Sequence, residues 1–171
     1  MLKILQVLTV ILVAVAMALA LAHALELPGK MRLSKEQYYA MQPIYYPGFT
    51  IGGGVGEVGG TISTLVLLLF TPYGSTDFWL TFGALIGLVA IQAVYWLFTH
   101  PVNKFWLEGE QLDKFSAGFF SFGTNSSRLG NENHPPDWTQ LRDRWEFSHV
   151  VRAVVSLLSL IMLVVAVTDA E

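Results

Sequence analysis

The chain contains no cysteine among its 171 residues. That excludes disulfides, thiolate metal sites, iron–sulfur clusters and CxxC redox chemistry, and with them the quinone-linked thiol oxidoreductases. Charge is scarce as well. Asp, Glu, Lys and Arg together make up 13% of the residues, about half the usual share. The formal net charge of −3 is mild and no basic stripe runs along the sequence, so nucleic acid is not an expected partner. Apolar residues make up 53%. A balance of this kind argues against a soluble domain and for a chain that lives in lipid.

Four apolar runs are long enough to cross a bilayer, which takes roughly 20 residues. They cover about 2–27, 49–70, 78–99 and 147–167, with a long loop over 104–143 between the third and the fourth. Lipid offers backbone groups no partners, so the expected fold is all-α, an integral membrane four-helix bundle in one domain. The first run has a basic start and Ala-x-Ala sites like a signal peptide. Its uncharged stretch from Ile4 to Ala22 exceeds the roughly 7–15 residues of a signal core, and Lys30, Arg32 and Lys35 follow at once. Retention as a membrane span is therefore expected. The loops after spans one and three also hold Lys104, Lys114, Arg128, Arg142 and Arg144, whereas the opposite side has only Lys3. This predicts cytoplasmic long loops and both termini outside, in a bacterial inner membrane.

Residues 54–59, GVGEVG, match G-x-G-x-x-G, but no strand precedes them and an apolar run follows, so a dinucleotide fold is rejected. Gly52, Gly56 and Gly60 instead form a smooth helix face, suited to close approach by the alanine-rich first span (Ala14, Ala16, Ala18, Ala20, Ala22). Glu57 is the anomaly inside that face.

The polar residues of the spans gather toward one end. In the fourth, Trp138, Leu141, Trp145, His149, Arg152, Ser156 and Ser159 share one stripe at helical spacing, and Asp137 with Gln140 reads as an N-cap. Span one ends with His23 and Glu26. Span three ends with His100 and Asn103, with Gln92 and Trp96 above them on the same side. Ionisable groups in membrane helices face the bundle interior and mark functional sites. A buried Arg152 needs an acidic partner, and Glu57 is best placed by depth. Against these stand plainer readings: His23 and Glu26 in the headgroup region, His100 ending its span before Pro101, Glu146 as a surface pairing residue, and His134 as a solvated loop residue.

Glu146-x-x-His149 has the spacing of carboxylate-bridged di-iron bundles, and Glu57, Glu26, His23 and His100 would complete a shell. Such bundles carry two copies of that motif and this chain has one. Haem held by two of His23, His100 and His149 has no motif behind it. No cofactor is the leading expectation, with iron or haem as the alternative; the metal ligands would then be Glu146, His149, His23 and His100.

THPVN at 99–103 and W-x-x-x-H-x-x-R from Trp145 to Arg152 resemble the anthrone-oxygenase-like family of small four-helix membrane proteins. HALELPGK and QPIYYPGF resemble a bacterial branch of it. The resemblance implies a four-helix bundle and, for some fungal members, oxygenation of an anthrone to an anthraquinone. Asn103, Trp145 and Arg152 match the family pattern, whereas His149 stands where many relatives carry asparagine.

The expectation is a membrane oxidoreductase or oxygenase acting on a flat, apolar aromatic or quinol-like compound. His149 or His100 would remove a proton, Arg152 and Asn103 would hold the resulting anion, and Trp145, Trp96, Glu57 and His23 would line the binding site. The alternative is a non-catalytic lipid- or quinone-binding protein or an accessory subunit of a membrane complex. Expected partners are membrane lipids, a small apolar ligand and a second copy or complex subunit. The aromatic run FSAGFFSFG in the long loop would be a lid or a docking surface.

Overall fold

The computed structural model describes residues 1–46, 48–106 and 137–168. It is all-α, with no strand among the described residues. Helix α1 spans Leu2–Lys30, α2 Lys35–Met41, α3 Gly48–Phe70, α4 Thr76–Val94, α5 His100–Trp106 and α6 Trp138–Thr168. A short 3₁₀ turn, Gln42–Tyr45, follows α2, and a π turn, Tyr95–Thr99, joins α4 to α5 without a break. Four helical stretches are long and apolar enough to cross a membrane, and the chain is a multi-pass membrane bundle. The expected lid or docking run FSAGFFSFG and His134 lie outside the described residues.

The bundle is a square: α1 packs against α3 and α6, α4 packs against α6 and α3, and the α3–α4 seam is the least extensive of the four. Glycine sets the α1–α3 approach. A Cβ at Gly56 would meet the Ala16 backbone nitrogen at 2.8 Å, and one at Gly60 would meet Val13 Cγ2 at 3.1 Å. No larger residue fits at Gly56 without moving a backbone, so the Gly52-Gly56-Gly60 face serves packing. Midway along the bundle, Val13, Leu67, Ala84, Leu88, Ile91 and Leu163 form one apolar cluster.

A second cluster caps the loop end: Tyr38, Tyr45, Val102, Trp106, Leu141 and Trp145. It forms because α2 folds back over the bundle. Ser34 starts α2 with a reciprocal capping box, its Oγ accepting from Gln37 N at 3.3 Å and its own N–H donating to Gln37 Oε1 at 3.0 Å. Helix α6 starts at Trp138, as the Asp137 cap implies. The partner is Thr139, whose backbone N–H donates to Asp137 Oδ1 at 3.1 Å, rather than Gln140.

Two elements differ from expectation. Helix α1 continues through Pro28 to Lys30, past the expected Leu27. The third span does not end before Pro101 but runs on to Trp106. Proline cannot donate to the carbonyl four residues back and normally disturbs a helix there. In this chain the π turn shifts the register, with His100 N–H reaching the Tyr95 carbonyl. The Leu97 carbonyl that Pro101 cannot serve accepts from Arg144 Nη2 at 2.5 Å.

Candidate functional site

The polar residues singled out from sequence converge at the loop end of the bundle. Arg152 and Glu57 form an ion pair between α6 and α3, and both are buried. The Arg152 guanidinium also lies 5.3 Å from the centre of the Tyr95 ring. Trp145 donates its indole N–H to Asn103 Oδ1 at 2.8 Å, tying α6 to α5. Thr99 and Ser148 hydroxyls meet at 2.8 Å on the same seam. His23 and His149 lie against each other with ring centres 4.1 Å apart and planes tilted by 39°, and Trp145 packs on both.

Lys30, a topology signal in the sequence, sits at the centre of a second network. Lys30 is 2% exposed. Its Nζ lies 3.0 Å from Glu26 Oε2, 3.5 Å from Glu146 Oε1 and 3.2 Å from His23 Nδ1. Tyr38 donates to Glu146 at 2.8 Å and Tyr45 to Glu26 at 2.6 Å. Burial, and then the neighbouring Glu146 carboxylate, hold the Tyr38 phenol above its usual range. Burial and the bond to Glu26 do the same for Tyr45. Both phenols therefore remain donors. Glu146 is thus a buried member of an ion network rather than a surface pairing residue. The only advance sign of this cap was S-x-x-Q at Ser34–Gln37, a helix start that brings Tyr38 and Tyr45 back over the bundle.

A cavity of about 170 Å³ lies beside these groups. His23, Glu57, Trp96, Asn103, Trp145, His149 and Arg152 all line it, with Tyr45, Tyr95 and Gln92. His100 does not; it is buried outside the cavity, its Nδ1 3.4 Å from the Tyr95 hydroxyl and its ring against Trp96. At the rim, Val58 on α3 is 51% exposed and Trp96 in the π turn is 41% exposed. The cavity therefore opens between α3 and the π turn, on the outer surface of the bundle.

The cations beside the two histidines set the roles of their nitrogens. A guanidinium and an ammonium can only donate. Arg152 Nη1 lies 3.3 Å from His149 Nδ1, and Lys30 Nζ faces His23 Nδ1 in the same way. Each Nδ1 must accept, which puts the proton of each neutral ring on Nε2. His149 Nε2 has no hydrogen-bond partner among the described residues.

That arrangement does not fit a metal ion or a haem. A ligating imidazole must offer a bare nitrogen, and here the bare nitrogen of each ring already faces a cation. Glu146 is engaged by Lys30 and Tyr38, and His100 stands apart. Among the described residues no three His, Asp or Glu side chains are grouped to hold a metal. The Glu146, His149, His23 and His100 shell is not assembled.

The fold and site define a small multi-pass membrane bundle with a surface-opening cavity lined by a buried ion pair and two histidines. Within that class the family is shown: the anthrone oxygenase family model matches residues 49–162, and the chain belongs to that family. The matched stretch holds Glu57, Asn103, Trp145, His149 and Arg152, whereas His23, Glu26, Lys30, Tyr38 and Tyr45 lie before it. No curated protein and no solved structure matches the chain.

Proposed function

We propose that the chain is a membrane oxygenase for a flat, apolar aromatic compound whose acidic C–H is conjugated through the ring system with a carbonyl, as the methylene of an anthrone is with the carbonyl across its central ring. The observation that carries this reading is the cavity itself, which opens at Val58 and Trp96 and ends on Glu57, His149 and Arg152. A void of about 150 Å³ accommodates benzene, so the cavity holds one aromatic ring while further fused rings lie in its mouth. Such a substrate partitions into lipid and reaches the mouth without crossing water. Deprotonation gives an electron-rich carbanion that reacts with O₂ without metal help. The net change converts a CH₂ group and O₂ into a carbonyl and water. Preorganised donors in a water-poor pocket stabilise the anion far better than they would in solution.

The same reading puts the protein in a bacterial inner membrane. The long loops, with Arg32, Lys35, Arg142 and Arg144, face the cytoplasm, and both termini lie outside.

The test is oxygen uptake by the protein in lipid nanodiscs supplied with anthrone. We expect protein-dependent consumption of one O₂ for each anthraquinone formed. Saturable binding without turnover would favour the lipid- or quinone-binding alternative. Absence of both would sink the reading.

A further inference from the structure

We infer that Glu57 is the base of this site and that His149 acts as a hydrogen-bond donor to the substrate oxygen. The assignment rests on the proposed oxygenase reading and reverses the roles that residue type alone suggests, since histidine is the commoner general base.

The lone pairs around the cavity single out one group. A base must present an unoccupied lone pair to the proton it removes. His149 Nδ1 accepts from Arg152, and His23 Nδ1 accepts from Lys30. Their remaining nitrogens carry hydrogen and have none to offer. Asn103 Oδ1 is taken by Trp145. Glu146 faces Lys30 and Tyr38 and does not line the cavity. Glu57 differs. Arg152 holds its Oε1, no hydrogen bond reaches Oε2 from the described residues, and the side chain lines the cavity. Its second oxygen is therefore the basic atom available there.

The donors complete the picture. His149 Nε2 and Gln92 Nε2 both lack partners among the described residues, and both side chains line the cavity. Both atoms are buried behind the cavity wall, and a ligand oxygen pressed into that wall is the acceptor that would satisfy them. In the step, the substrate C–H bond breaks and an O–H bond forms on Glu57 Oε2. The electron pair moves through the aromatic system to the carbonyl oxygen, where His149 Nε2–H receives it as a hydrogen bond. Arg152 remains a cation throughout and keeps the carboxyl oriented. The oxidation that follows consumes O₂, and the hydrogens leave as water.

The experiment is anaerobic deuterium exchange at the CH₂ group of anthrone, with the full chain in nanodiscs in D₂O and binding followed by tryptophan quenching. Wild type exchanges above the protein-free rate. Glu57→Gln loses about 100-fold or more of that exchange while still binding, and His149→Asn, whose side-chain amide still donates to the substrate oxygen, loses clearly less than Glu57→Gln. The reverse pattern overturns the assignment. If wild type shows no exchange yet still oxidises anthrone under O₂, the base assignment falls and the oxygenase reading stands. If it does neither, both fall. Because Glu57→Gln leaves Arg152 without a carboxylate and risks misfolding, ¹⁵N NMR of the histidine side chains in wild type provides a substrate-independent check. Protonated Nε2 and bare Nδ1 are expected for His149 and His23, and a protonated Nδ1 on His149 overturns the inference.

Discussion

Glu57 and Arg152 lie 95 positions apart in the chain and form a buried ion pair between α3 and α6. Each is the other's main electrostatic partner in a region with little water. Removing one leaves the other charged and unpaired. Arg152→Leu should therefore cost about 3–5 kcal/mol, while the double change Glu57→Leu/Arg152→Leu should recover most of that loss. Unfolding in mixed detergent measures both, and a double variant no more stable than the single would contradict the pairing.

Gly56 tests the α1–α3 contact. Its Cβ would strike the Ala16 backbone, whereas one at Gly53 meets nothing within 4 Å. Gly56→Ala should destabilise by about 1–3 kcal/mol through overpacking, against a helix-propensity gain of about 1 kcal/mol. Gly53→Ala should be neutral or stabilising. Thermal unfolding of the two variants side by side decides the matter.

Arg144 and Pro101 should be energetically coupled through the Leu97 carbonyl. Arg144→Leu should cost about 1.5–3 kcal/mol, the worth of a hydrogen bond to a charged group. In a Pro101→Ala background the cost should shrink, because alanine at that position supplies the missing backbone donor. A double-mutant cycle reads this directly, and strict additivity would refute it.

The absence of cysteine makes orientation simple to examine. If both termini lie outside, as proposed, a Tyr73→Cys label in the α3–α4 turn should react with an impermeant maleimide on intact cells. A Glu36→Cys label on α2 should react only after permeabilisation. Both positions are exposed, so the opposite labelling would invert the topology.

Much of the bundle was legible because its signals are local. Apolar length gave the spans, and helical spacing gave the stripe that becomes the buried face of α6 from Leu141 to Ser159. Four-residue glycine spacing gave the α1 contact, and depth alone paired Arg152 with Glu57. What escaped depends on distant partners. Lys30 reads as a loop charge until α2 folds back and brings Tyr38 against Glu146. Pro101 reads as a helix end because its relief comes from Arg144, 43 positions on. The histidines read as bases because residue type does not say which nitrogen a cation occupies.

The most direct test of the oxygenase reading is oxygen-18 labelling. Wild type and the Glu57→Leu/Arg152→Leu variant would be supplied with anthrone under ¹⁸O₂ in nanodiscs, and the anthraquinone weighed by mass spectrometry. We expect one ¹⁸O per product from wild type, at a rate proportional to protein, and only the protein-free background from the variant. Equal rates with and without wild-type protein, or product from the variant at the wild-type rate, would contradict oxygenation at this site.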